Sequence, residues 1–129
     1  MSARKIFIAD DDPIVRKFLS ALLTDAGFEV TAVSDGEKAL AGVRESRPDL
    51  VILDLVMPYK DGFEVCRGIR ATPEVRNVPV IILSMKDREA DALKSFELGA
   101  DDFVRKPFNP LELIARIRKI LSAREPKKE

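Results

Sequence analysis

Apolar residues in this chain recur with two periods. Ile6-Phe7-Ile8-Ala9, Leu50-Val51-Ile52-Leu53 and Val80-Ile81-Ile82-Leu83 are unbroken apolar runs, the mark of short strands buried on both faces. Between them, apolar positions fall three and four residues apart, as on helices with one covered face. The two kinds of segment alternate along the chain. Lys5–Ala9 is a strand, after which Asp12 is placed to cap a helix that begins at Pro13 and carries Ile14, Val15, Phe18, Leu19, Leu22 and Leu23 up to Gly27. Glu29–Val33 is a second strand, and Ser34-Asp35-Gly36-Glu37 is a capping-box pattern opening a helix through Ala39, Leu40 and Val43, closed by Pro48.

The third strand, residues 50–53, stops at Asp54, and a turn-rich stretch over 57–62 leads into a helix bearing Phe63, Val65, Cys66 and Ile69. Thr72-Pro73 terminates that helix. A fourth strand, 80–83, precedes a helix over roughly 87–98 that stops at Gly99. The fifth strand is Asp102–Arg105. Asn109-Pro110-Leu111-Glu112 then caps a last helix whose buried stripe is expected to be Leu111, Ile114, Ile117, Ile120 and Leu121. One domain over residues 1–124 is expected, with 125–129 a tail or truncated linker.

Five strand–helix alternations with short connections predict an α/β fold, a doubly wound (βα)5 flavodoxin-like sandwich with its parallel sheet in the order 2-1-3-4-5. That order puts the topological switch between the first and third strands, the two that end in aspartate.

The chain has 129 residues with 22 basic and 22 acidic side chains, so no basic excess favours direct nucleic-acid binding or a membrane surface. No apolar run is long enough for a spanning segment or a secretion signal, and a cytoplasmic protein is the expectation. The chain lacks histidine and has a single cysteine, Cys66, which excludes a His/Cys metal site, a Ser-His-Asp triad and a disulfide framework. Cys66 lies in a helical apolar pattern and reads as a small core residue.

The chemistry therefore falls to the polar residues at the strand ends: Asp10-Asp11-Asp12, Asp54, Ser84 and Lys106-Pro107. Neighbouring strands lie about 4.8 Å apart, so carboxylates at their ends meet. Crowded carboxylates repel and call for a cation, and an all-oxygen donor set suits Mg²⁺. Taken singly these residues have plainer explanations. Asp12 is a helix cap, Asp54 a turn residue, Lys106 a solvated lysine, Phe103 a core aromatic.

Taken together, in order and each at a strand end, they resemble the receiver domain of two-component response regulators. The motif set is Asp10-Asp11, Asp54 with Met57-Pro58 and Asp61-Gly62, Ser84, and Lys106-Pro107-Phe108. The resemblance implies that Asp54 accepts a phosphoryl group from a histidine kinase or phosphotransfer protein, with Ser84 and Lys106 assisting. It implies that Mg²⁺ is held by Asp11, Asp54 and the backbone carbonyl of Val56 directly, and by Asp10 through water. Ser84 and Phe103 stand at the switch positions that couple phosphorylation to the face of helix four, strand five and helix five. The Lys106–Pro107 bond is expected to be cis. Such a chain is a phosphoacceptor, not an enzyme, acting on an output partner or fused output domain. It is expected to be a monomer without phosphate and at most a weak dimer with it, because Asp102, Glu112 and Arg116 match only part of the pairing set while Ala92 and Ala123 stand where basic partners are expected. Met85 follows Ser84 where a small residue is usual, and Val56 and Lys86 occupy the positions that tune phosphate lifetime.

Two rival readings stand beside this one. Asp10-Asp11-Asp12-Pro13-Ile14 also fits the nucleophile motif of a small haloacid-dehalogenase-like phosphatase, with Asp10 as nucleophile and Asp12 as acid. That reading leaves Asp54 idle and finds Asp101-Asp102 before Lys106, the reverse of the order it needs. A pseudo-receiver working without phosphorylation is disfavoured because every group the chemistry needs is present.

Overall fold

The computed structural model describes residues 3–85 and 89–124. Five strands alternate with five helices: β1 (Lys5–Ala9), α1 (Pro13–Asp25), β2 (Glu29–Val33), α2 (Gly36–Ser46), β3 (Leu50–Asp54), α3 (Gly62–Arg70), β4 (Val80–Ser84), α4 (Glu89–Glu97), β5 (Asp102–Arg105) and α5 (Pro110–Arg124). All strand pairs are parallel and the order is β2-β1-β3-β4-β5, the doubly wound arrangement that the alternation demands.

Because side chains alternate along a strand, each apolar run supplies two cores. Phe7, Ala9, Val51, Leu53, Val80 and Ile82 face one way and meet Ala39 and Val43 of α2 and Val65, Cys66 and Ile69 of α3. Ile6, Ile8, Leu50, Ile52, Ile81 and Leu83 face the other way, against Leu19 and Leu23 of α1 and Leu113, Ile117 and Leu121 of α5. β3 is buried along its whole length, whereas the edge strands β2 and β5 are half-covered. Cys66 is fully buried, its thiol directed to the Leu98 carbonyl at 3.6 Å, and burial pushes that thiol above its ordinary pKa.

Three local readings need correction. The buried stripe of α5 is Leu113, Ile117 and Leu121; Leu111 is 77% exposed, and Ile114 and Ile120 only flank the core. The helix meets the sheet along an i, i+4 row, which puts Leu111 on its outer side. In α1 the core positions are Leu19 and Leu23, while Ile14 is 78% exposed and Phe18, 48% exposed, packs its ring 6.2 Å from that of Phe108. α2 is capped by Asp35, not Ser34, and without a box, since Lys38 occupies the position that would return the bond. The capping box forms instead on α3, between Asp61 and Glu64. The expected start of the fourth helix at Asp87, Lys86, and the 125–129 tail lie outside the described residues.

Candidate functional site: an acidic cluster at the switch point

The carboxyl ends of β1 and β3 lie side by side, with Ala9 opposite Leu53, so the next residues along each strand face the same crevice. Asp10, Asp11 and Asp54 present carboxylate oxygens that all lie within 4.8 Å of one another. Asp54 still belongs to the β3 ladder, paired with Leu83, and is 7% exposed. Asp10 is deeper, at 1%, and Asp11 faces solvent.

Lys106 enters from the end of β5. The Lys106–Pro107 bond is cis, and the Lys106 N–H donates to the Ser84 carbonyl at 2.8 Å, carrying the β4–β5 ladder one step past the strand end. Its Nζ reaches Asp10 Oδ2 at 2.8 Å and Asp54 Oδ1 at 3.3 Å. Ser84 ends β4, almost fully buried, one residue beyond the Asp54 pairing. Val56, two residues after Asp54, is exposed. The loop behind it must fold back tightly: the Gly62 N–H bonds the Leu55 carbonyl at 2.8 Å, and a Cβ on Gly62 would come within 2.8 Å of the Asp54 carbonyl oxygen. Only glycine permits that approach.

The electrostatics are unbalanced. Burial, then the charge on Asp10, pushes the Asp54 carboxyl from 3.8 to about 7, and the attraction of Lys106 offsets this only in part. Burial pulls the Lys106 ammonium down, but its bonds to Asp10 and Asp54 and their charges outweigh that and leave it above its ordinary value. Two buried carboxylates thus share one buried ammonium, with the Asp11 carboxylate beside them. The donor set is all oxygen and open to solvent on the Asp11 side, which fits a hard divalent cation such as Mg²⁺.

Asp10 is badly placed to be a nucleophile. Its Oδ1 accepts the Asp12 N–H at 2.9 Å, its Oδ2 is held by Lys106, and almost none of it reaches solvent. Asp12 caps α1 through Ile14 and Val15. The phosphatase reading needs both as catalytic groups, whereas Asp12 is engaged as a helix cap and Asp10 is almost wholly buried. Arg16 escaped the sequence reading. Its Nη1 donates to the Asp10 carbonyl at 2.8 Å. A cation in the first turn of a helix, against the helix dipole, was the available signal.

Phe103 is half-buried against the α2–α3 core, and with Met85, Arg105, Glu112 and Arg116 it lines a cavity of about 590 Å³ between β5 and α5. Arg116 bonds Asp102 at 2.8 Å and Glu112 at 3.0 Å within the chain. Among the described residues, no helix is long and apolar enough to cross a membrane.

A sheet in this order with an acidic crevice at its switch point is the framework of receiver domains, and known proteins match it. The family model for the response regulator receiver domain matches residues 6–118, and the chain belongs to that family of two-component signalling proteins. It is 43% identical over 122 residues to the DNA-binding response regulator MtrA of Mycolicibacterium smegmatis, covering 95% of this chain and 52% of that protein. The chain thus spans about half the length of the curated relatives it matches. Among solved structures it superposes on the BeF3-activated receiver domain of Klebsiella pneumoniae RstA with a TM-score of 0.87 and 33% identity, covering 95% of this chain and all of that one. The receiver domain of the Pseudomonas aeruginosa sensor histidine kinase PA1611, with a magnesium ion coordinated in its active-site cleft, gives a TM-score of 0.87 at 29% identity over 94% of this chain and 99% of that one.

Proposed function

We propose that Asp54 is the phosphoacceptor of a two-component pathway, receiving the phosphoryl group of a histidine kinase or phosphotransfer protein in a reaction that needs Mg²⁺. The observation that carries this reading is the placement of Asp54: fixed in the central strand, with the Lys106 ammonium at 3.3 Å and two more carboxylates within 4.8 Å. Asp11, Asp54 and the Val56 carbonyl would hold the cation directly, and Asp10 through water. The cation supplies the positive charge that lets an anionic carboxylate approach phosphoryl oxygens.

The chain's own residues do the rest. Asp54 is aimed by the β3 ladder and by the loop that Gly62 folds against it, so one oxygen stays directed at the crevice. Lys106, shared between Asp10 and Asp54, can release part of its bonding to a phosphoryl oxygen without leaving its place. Ser84, at the adjacent strand end, offers a hydroxyl on the same side. Drawing Ser84 toward the new phosphoryl group frees room for the Phe103 ring to turn in from the cavity beside α5, changing the α4–β5–α5 face. The protein is a reactant in this transfer, not a turnover catalyst. Its setting is the cytoplasm. Relatives twice its length are described as DNA-binding, so a fused output domain is the proposed recipient of the signal, while this domain itself makes no nucleic-acid contact. Arg116 is already spent on Asp102 and Glu112, which supports a monomer before phosphorylation and no more than a weak dimer after it.

The test is incubation with acetyl phosphate and Mg²⁺ followed by mapping of the adduct by mass spectrometry. One phosphoryl group on Asp54, absent in EDTA and in Asp54→Asn, is expected. Undiminished labelling of Asp54→Asn would overturn the assignment.

A further inference from the structure

We propose that Arg16 is a positioning residue for the cation of the acidic cluster, acting by holding the peptide that joins Asp10 to Asp11; this rests on reading the cluster as a Mg²⁺ site. Arg16 lies in the first turn of α1, a turn with no acidic residue, where the positive pole of the helix disfavours a second positive charge. The helix does not need it for capping, since Asp12 already accepts from Ile14 and Val15. The half-buried guanidinium instead donates to the Asp10 carbonyl oxygen at 2.8 Å.

That carbonyl belongs to the same planar peptide group as the Asp11 N–H, so holding its oxygen fixes the plane from which Asp11 departs. The rest of Asp10 is pinned independently. Its N–H donates to the Val33 carbonyl at 3.2 Å, Oδ1 accepts from the Asp12 N–H at 2.9 Å, and Oδ2 accepts from Lys106 at 2.8 Å. Arg16 adds the fourth tether, the one nearest Asp11. Of the three cluster carboxylates, Asp11 is the exposed one, and its direction depends most on the backbone that bears it.

Charge and position predict opposite signs. As a bare positive charge, Arg16 repels a bound cation, and its removal would tighten Mg²⁺ binding. As a tether, its removal loosens the site. Calorimetric titration of the whole chain with MgCl₂ is the test, on wild type, Arg16→Gln and Arg16→Lys, with thermal melts of each in EDTA. Arg16→Gln is expected to bind about tenfold more weakly, the range for groups that orient metal ligands. Arg16→Lys, which keeps the charge and a donor, is expected to recover most of that loss, and metal-free melting should stay within a few degrees of wild type. Equal or tighter binding by Arg16→Gln would overturn the inference, as would a variant that no longer folds in EDTA, which would make Arg16 a structural residue. A wild type that binds no Mg²⁺ would remove the cation site itself and is distinguishable from both.

Discussion

The two ends of the sheet handle charge in opposite ways. At the amino end, Arg70 of α3 spends all its donors: Nε and Nη2 on the Gly99 carbonyl at 3.0 and 2.6 Å, Nη1 on the carbonyls of Arg76 and Val78 at 2.8 and 2.6 Å, and Nη2 also on Asp101 at 3.2 Å. Asp101 in turn accepts from the Val80 N–H at 2.8 Å and from Arg124 at 3.0 Å. Two guanidiniums surround one carboxylate there, and the bonds tie α3, β4, β5 and α5 together. At the carboxyl end, Asp10 and Asp54 share one ammonium with Asp11 beside them, and the sum is left open. A closed network makes structure, and an open one makes a site that gains when a cation or a phosphoryl group arrives.

Removing a member from each end should separate the two. Arg70→Ala strands the Gly99 and Val78 carbonyls and is expected to cost about 3 kcal/mol by urea unfolding, with phosphorylation of the folded fraction intact. A loss under 1 kcal/mol would show the amino-end network to be ornamental. At the other end the sign reverses. The Asp54 carboxyl sits near 3.8 when unfolded and is raised to about 7 when folded, so the folded state binds the extra proton between those values. Metal-free stability should accordingly be greatest below pH 4 as far as this group is concerned and fall as pH rises through 7. Asp54→Asn should remove that slope and stabilise the metal-free protein at pH 8 by on the order of 2 kcal/mol, an advantage that shrinks at pH 5 and in saturating Mg²⁺. Wild-type stability that is flat or rising between pH 5 and 8 in EDTA would contradict the crowding described here. The smallest effect belongs to Arg124→Ala. That ion pair has a side chain 42% exposed, and its loss should cost roughly 0.5 kcal/mol. A larger value would mean that the last turn of α5 is held more firmly than its exposure implies.

Most of the framework was legible because two-sided burial writes itself as an unbroken apolar run. β1, β2 and β5 fall on the expected residues, and β3 and β4 each extend one residue further, into Asp54 and Ser84. Polarity marked those two as strand ends, but the ladder continues past them, with the Leu55 N–H donating to the Leu83 carbonyl at 2.8 Å. Helix phase was less legible. Both Leu111 and Leu113 fit an apolar spacing, and only the direction from which α5 meets the sheet selects Leu113. The carboxylates could be found because each follows a run that delivers it. Arg16 left only the indirect mark of a cation in a first helical turn, and Arg70 left none, since most of their partners are backbone carbonyls, which carry no sequence signature and which only the folded chain brings within reach.

Lys106 and Asp10 are separated by 96 positions. A chain is synthesised from its amino end, so Asp10 and Asp54 emerge well before the ammonium that sits between them. β3 can join β1 early, but β5 is the far edge of the sheet and the last strand to be made. Until it is added, the nascent sheet carries paired carboxylates without the ammonium that bonds them. The site therefore cannot mature ahead of the domain: a partly made copy has an acidic sheet end without its lysine, and the full cluster is assembled only with the final strand.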